Sequence, residues 1–342
     1  MSELRLDPAT RRWVATGKRP PMPDVLDSGD LCPFCPGNER FTPKPIREVL
    51  DPSGAWLVRV FHDRAPVFRI EGGLDPRGEG MFDRMNTVGA HELVIETPQH
   101  GITLAQLTSE QFVRVIEVCR DRILDLKHDR RFRYVSLFKD QMPLGATLAG
   151  HGHSQILATP VLPQQLEMEF RWSKSHYLRK DRCLYCDIIQ QEIQQEKRVV
   201  DQNNHFIALC PFAARSPYEL WLLPLRHASS FEKDLTEGER VKSLASFLKA
   251  SLQRIEKLSA SLHVVVHTEP NLEARKPRSD WWKTITEDFH WHIEVSPDIE
   301  GQRRYLGSEG FYFNPIPAEE VTLVLRALGR GMDPDPPPEG AG

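Results

Sequence analysis

"GATLAGHGHSQILATP", residues 145–160, carries two histidines one residue apart, His151 and His153, with Gln155 at the same step beyond them. A glycine-containing run leads in and an apolar run leads out. Alternate residues of an extended strand share a face, so an extended segment here would aim His151, His153 and Gln155 to one side. A second H-x-H heads another apolar run, in "FHWHIEVSP" (289–297), with His290, His292 and, in the place of Gln155, Glu294. The sequence around these two stretches decides whether the chain is built twice.

Three more features recur in the same order. The first half reads "CPFC" (32–35), "HELVIETPQH" (91–100) and "LTSEQF" (107–112) before its H-x-H. The second reads "CLYC" (183–186), "YELWLLPLRH" (218–227) and "LTEGER" (235–240). Glu92 precedes His100 by eight positions, as Glu219 precedes His227. An internal repeat of this kind implies two related units of about 160 residues each. "HELVIET", "ELWLLP", "RYVSLFKD" (133–140) and "LHVVVHTEP" (262–270) read as strands. Thr108 with Gln111 and Thr236 with Glu239 look like capping boxes, each followed by apolar residues at helical spacing. The class is therefore α+β. We expect an N-terminal half over 1–160, a helical connector over 161–182, a C-terminal half over 183–330 and a disordered Pro- and Gly-rich tail over 331–342.

Composition excludes several roles. With 44 basic and 48 acidic residues the net charge is −4, without the basic excess that a nucleic-acid footprint would need. No apolar run is long enough for a membrane span, and "MSELRLDPATRRW" lacks the apolar centre of a secretory signal. We therefore expect a cytoplasmic protein that touches neither nucleic acid nor membrane. Of the six cysteines, Cys119 and Cys210 lie in apolar patterns and read as core. The other four form two C-x-x-C pairs, which in a reducing compartment read as metal or redox motifs rather than disulfides.

Each half offers two thiols and at least two imidazoles, the donor set of a tetrahedral zinc site. The candidates are Cys32, Cys35, His100 and one of His151 and His153, then Cys183, Cys186, His227 and one of His290 and His292. Four protein ligands leave no open position, so two structural Zn2+ ions are expected. His62, His91, His128, His176, His205, His263 and His267 share no such pattern and read as surface or hydrogen-bonded histidines. If the first histidine of each H-x-H closes a zinc site, the second is spare. In the first half it follows a glycine-containing loop able to present N–H groups to a phosphate, and neutral Gln155 can donate to an oxyanion. In the second half, Glu294 would repel one. An imidazole is largely neutral at pH 7 and its nitrogen can attack phosphorus, so His153 is the candidate nucleophile.

"CPFCPGNE", "HELVIETPQH", "GATLAGHGHSQILATP" and "FHWHIEVSP" together resemble the galactose-1-phosphate uridylyltransferase family of the histidine-triad superfamily, which includes ADP-glucose phosphorylase-like members. The likeness runs from Trp13 to near Leu328. It implies two histidine-triad-like halves, each a mainly antiparallel sheet with helices packed on it. It also implies double-displacement nucleotidyl transfer from a nucleotide sugar to a sugar 1-phosphate or phosphate, with no redox cofactor or Mg2+ required. The resemblance places the nucleophile on His153 and a phosphoryl-binding role on Gln155. It puts zinc ligands on Cys32, Cys35, His100 and His151, and on Cys183, Cys186, His227 and His290. Gly145 and Thr147 match phosphate contacts, and Arg19 falls in a phosphate-contacting position. The chain departs from the pattern in four places. H-P-H becomes His151-Gly152-His153, with one extra residue near Gly150. An expected asparagine is Asp140, suited to a ribose hydroxyl. Asp63-Arg64 replaces Asn-Lys at another substrate-binding position. "RRYLGSEGFYFNP" (303–315) lacks the usual Gly-Phe-Glu of the sugar site. Competing readings are a phosphorylase or hydrolase acting on nucleotide sugars or dinucleoside polyphosphates, and a non-catalytic zinc protein that binds nucleotides. A homodimer is compatible with all of them.

Overall fold

In a computed structural model that describes residues 2–17, 32–142, 150–275, 282–299, 305–306 and 311–330, the apolar runs become strands. The first half contains β1 (Glu3–Leu6), β2 (Trp13–Thr16), β3 (Arg47–Leu50), β4 (Trp56–His62), β5 (Arg77–Glu79), β6 (Phe82–Asn86), β7 (Ala90–Ile95), α1 (Ser109–Lys127), β8 (Tyr134–Gln141) and β9 (His153–Thr159). Two helices follow, α2 (Gln164–Lys180) within the expected connector and α3 (Leu184–Gln195). The second half continues with β10 (Val199–Gln202), β11 (Phe206–Leu209), β12 (Leu220–Pro224), α4 (Phe231–Asp234), α5 (Gly238–Glu256), β13 (Leu262–His267), α6 (Ile285–Asp288) and β14 (His292–Pro297). A small hairpin, β15 (Tyr305–Leu306) and β16 (Phe311–Tyr312), and helix α7 (Ala318–Gly329) close the described chain.

Ten strands form one sheet in the order β10, β11, β12, β14, β13, β8, β9, β7, β4, β3. Read outward from the centre, β8, β9, β7, β4, β3 match β13, β14, β12, β11, β10, so the sequence repeat is a repeat of topology. The halves join edge to edge, with β8 and β13 antiparallel from Leu137↔Val266 to Gln141↔Leu262. Joining them this way pairs two strands that would otherwise be open edges. A separate four-stranded sheet, β2, β1, β6, β5, belongs to the first half.

The two faces of the large sheet differ. Ser154, Ile156 and Ala158 on β9 and Ile293 and Val295 on β14 point to the face covered by α1 and α5, where the main core lies. On the opposite face of the second half, α2, α3 and α6 contribute Phe170, Tyr185, Ile189 and Ile285 to a second core over Ile207, Leu209 and Leu223. The matching face of the first half carries Phe34 against a small cluster of Trp56, Phe61 and Ile95 and leaves His153 half-buried. The same sheet face is thus covered in one half and accessible in the other.

Three local expectations change. Thr108 does cap α1, accepting from the Gln111 N–H at 3.2 Å, but the Gln111 side chain turns away to the carbonyls of Leu57 and Glu96. Helix α5 starts one residue later than expected, with Glu237 at its N-cap and no side-chain cap from Thr236. Strand β9 begins at His153, so His151 lies before it and does not share its face.

Candidate active site

Just ahead of β9, the Gly152 carbonyl accepts from the Glu96 N–H at 3.2 Å and draws the chain toward the end of β7. This turns His151 inward, where it is 2 % exposed. Its Nε2–H donates to the Thr97 carbonyl at 2.6 Å, leaving Nδ1 to face Cys32 Sγ at 3.6 Å and Cys35 Sγ at 3.7 Å. Cys35 Sγ is 3.4 Å from His100 Nδ1. The four donor atoms of Cys32, Cys35, His100 and His151 lie within 4.8 Å of one another, as do those of Cys183, Cys186, His227 and His290. The second set repeats the first closely. His290 Nε2–H donates to the Pro224 carbonyl at 2.9 Å, and Pro224 stands five residues after Glu219 as Thr97 stands five after Glu92. His227 Nε2–H donates to the Thr286 carbonyl. A backbone acceptor on the far nitrogen fixes the tautomer and orients the near nitrogen toward a metal. Cys186 is pushed down to about 3 by hydrogen bonding from Cys183 against its burial, with His227 and His290 adding to the shift.

His153 is turned the other way. Its Nδ1–H donates to the His151 carbonyl at 3.0 Å, so Nε2 carries the lone pair. Burial lowers its pKa below the usual histidine range, the His151 carbonyl opposes this, and the Lys139 ammonium adds to the lowering. The imidazole is therefore held in its neutral, nucleophilic form. Beneath it lies a buried polar group. Lys139 Nζ donates to both Glu96 oxygens, at 3.0 and 2.9 Å, and to the His153 carbonyl at 3.1 Å, and Ser154 Oγ donates to Glu96 Oε1. These bonds fix the backbone that carries the ring. A small cavity beside it is lined by Ile102, Thr103, Lys139, Asp140, Gly152 and His153, among others.

The other expected residues divide. Gln155 shares the face of His153, as strand alternation required, and its Oε1 meets His91 Nε2 at 2.9 Å. Asp63 lies 3.0 Å from the other nitrogen of the same histidine. Asp140 borders the cavity and is hydrogen-bonded to His263. Arg19, Gly145, Thr147 and the tail over 331–342 lie outside the described residues.

The second half shows what the first has kept open. His292 repeats the tautomer of His153, its Nδ1–H donating to the His290 carbonyl at 3.1 Å, but it is fully buried. Tyr185 and Trp221 enclose the ring, at 4.8 and 5.5 Å between centroids. Burial first, then the charge of His267, lowers His292 to about 4. Glu294 is taken up by Arg215. Donor atoms of Glu169, His267 and His292 also gather within 4.8 Å, a third group able to hold a cation. Glu169 is held at about 2 because His267 and its hydrogen bond outweigh burial. Neither Glu169 nor His267 stood out in the sequence, since one lies on the connector helix and the other at the end of β13, far from any motif.

Comparison with known proteins agrees with this architecture. Residues 4–163 match the model of the galactose-1-phosphate uridyl transferase N-terminal domain, and residues 169–296 match that of the C-terminal domain. The chain is 28% identical over 344 residues to an ADP-glucose phosphorylase of Arabidopsis thaliana, covering 95% of this chain and 93% of the relative. It is 28% identical over 339 residues to a galactose-1-phosphate uridylyltransferase of Thermotoga maritima, covering 95% and 98%. Among solved structures it resembles a uridylyltransferase with a TM-score of 0.77 at 24% identity, covering 96% of this chain and 98% of the other. It also resembles the Arabidopsis thaliana ADP-glucose phosphorylase with bound ADP-glucose, with a TM-score of 0.72 at 25% identity, covering 95% and 98%. Among the described residues no helix is long and apolar enough to cross a membrane.

Proposed function

The chain belongs to the galactose-1-phosphate uridyl transferase family, and on that premise we propose that it transfers a nucleoside monophosphate from a nucleotide sugar through a covalent intermediate on His153. The observation that carries this reading is the Nε2 of His153, which has no hydrogen-bond partner among the described residues, is set by the 3.0 Å bond from its Nδ1–H to the His151 carbonyl and stands at an accessible sheet face. Nε2 attacks the α-phosphorus, a P–N bond forms, and the P–O bond to the leaving phosphate breaks, releasing sugar 1-phosphate. An oxygen of the acceptor phosphate then attacks the same phosphorus, the P–N bond breaks, and the imidazole recovers its lone pair. Gln155 donates to the phosphoryl oxygens while charge builds on them. Asp140, which borders the cavity, would accept from a ribose hydroxyl, while Asp63 would act through His91 rather than on the substrate.

Two thiols and two imidazoles in each half suit tetrahedral Zn2+, which would be held by Cys32, Cys35, His100 and His151, and by Cys183, Cys186, His227 and His290. Bound zinc would act as a structural clamp that fixes the turn leading into His153. The substrates on this reading are a nucleotide sugar and either a sugar 1-phosphate or inorganic phosphate. Names of relatives support both acceptors, one being an ADP-glucose phosphorylase and another a galactose-1-phosphate uridylyltransferase.

The test is incubation with UDP-glucose and with ADP-glucose labelled at the α-phosphate. Acid-labile label on the wild-type chain, absent from His153→Ala, is the expected result. Discharge of that label by galactose 1-phosphate or by phosphate then identifies the acceptor. Nucleotide binding with no label on the wild type would point instead to a non-catalytic nucleotide-binding protein.

A further inference from the structure

His91 has no place in the metal sites or in the proposed covalent chemistry, yet it bridges two residues of the candidate site. On β7 it lies opposite Leu157 of β9, which makes it the diagonal neighbour of Gln155 on the face that carries His153. Its Nε2 is 2.9 Å from Gln155 Oε1 and its Nδ1 is 3.0 Å from Asp63 Oδ2. Asp63 is itself fixed. Its N–H donates to the His91 carbonyl at 2.9 Å, and its Oδ1 accepts from the Ala65 N–H at 3.2 Å. The side chains of His91 and Asp63 are 16% and 14% exposed, so water competes weakly for these bonds.

We propose that His91 is a positioning residue, anchored by Asp63, that sets the orientation of the Gln155 amide so that its N–H groups face the transferring phosphoryl group. A glutamine amide can offer an oxygen or an NH2 in nearly the same shape. Only the NH2 helps an oxyanion; the carbonyl oxygen would repel it. Both nitrogens of His91 face oxygens, and a ring protonated on both would pair with the Asp63 carboxylate and donate to Gln155 Oε1. That occupies the amide oxygen and leaves the amide N–H groups for substrate. The second half points the same way. The counterpart of Gln155 is Glu294, tied to Arg215, and the counterpart of His91 is Tyr218. The Asp–His–Gln chain thus occurs in the half with the accessible nucleophile and not in its buried copy.

This inference rests on the nucleotidyl-histidine reading, and two measurements separate their fates. In the first, rates of label transfer to His153 are compared for wild type, His91→Ala, Gln155→Ala and the double variant, with Asp63→Asn as a same-shape control. Loss of an oriented oxyanion donor predicts that kcat falls about tenfold or more in each, with KM for the nucleotide sugar changing by less than about threefold. The double variant is expected to be no worse than Gln155→Ala alone. Additive losses, or a rise in KM alone for Asp63→Asn, would overturn the relay. The second measurement needs no activity: ring 15N NMR of His91 should show both nitrogens protonated in the wild type and one in Asp63→Asn. A bare ring nitrogen in the wild type would overturn the proposal even if His153 takes label. Failure of the wild type to take label would sink the covalent reading alone.

Discussion

At Gly152 there is no room for a side chain. A Cβ built there would lie 2.8 Å from the Ile102 carbonyl oxygen and 3.1 Å from Glu96 Oε2. The first neighbour is backbone and the second is held by Lys139 and Ser154, so neither can give way easily. The glycine at this position is therefore matched to its surroundings. Gly152→Ala should cost about 1–3 kcal/mol by overpacking, and Gly152→Pro at least as much. Denaturant midpoints of the two variants against wild type measure this; unchanged midpoints would show that the Ile102 turn yields. At this scale the H-x-H was legible, and the family resemblance assigned the metal to His151 and the nucleophile to His153, but residue chemistry alone left the division of labour within the pair open. It depends on which ring nitrogen meets a backbone carbonyl. For His151 that carbonyl belongs to Thr97, 54 residues away in sequence. The cluster of Glu169, His267 and His292 was hidden for the same reason, being assembled from three elements with no common motif.

Among elements, the caps of the two equivalent helices give a direct comparison. Thr108 accepts from the Gln111 N–H at the start of α1, whereas α5 begins after Glu237 without a side-chain cap. Thr108→Ala should therefore lower stability by about 1 kcal/mol and Thr236→Ala by only a few tenths. Thermal melts of the two single variants decide it, and an equal loss would restore a cap to Thr236. The similar strings "LTSEQF" and "LTEGER" made both look like caps, and what separates them is where tertiary packing lets the helix begin. Strands were easier to read. Val94 and Ile95 on β7, like Ile156 and Ala158 on β9, are buried at or near zero exposure, and strongly apolar strands of a covered sheet announce themselves. Sequence alone could not say that the halves would join through β8 and β13. The antiparallel pairing of Phe138 with Val265 uses backbone groups, which leave no pattern in side chains.

Across the whole molecule, the seam between halves is also held by a buried ion pair. Lys127 at the end of α1 donates to Glu232 of α4, with side chains 10% and 0% exposed, and to the Glu269 carbonyl at 2.8 Å. Thr268 Oγ1 donates to the other Glu232 oxygen at 2.8 Å, and Asn271 Nδ2 reaches back to the Lys127 and Phe132 carbonyls. Burial works to raise the Glu232 pKa, but Lys127 overcomes it and holds the carboxyl below its ordinary value. A depressed folded-state pKa contributes stability that is present above the unfolded value near 4.5 and is lost as pH falls through the folded one. Lys127→Met would leave Glu232 buried and uncompensated, at a cost of about 3–5 kcal/mol near neutral pH. The variant's lone carboxyl should then take up a proton more readily than the wild type's. Its deficit should therefore shrink as pH falls toward 4.5, just where the wild type begins to lose this contribution. Adding Glu232→Met to Lys127→Met removes the stranded charge and should recover much of the loss at pH 7, because a buried pair replaced by apolar groups is often close to neutral. Urea unfolding of the single and double variants at pH 7 and pH 4.5 reads all of this. A single-variant deficit that does not change with pH would mean that the loss comes from packing and not from the charge on Glu232.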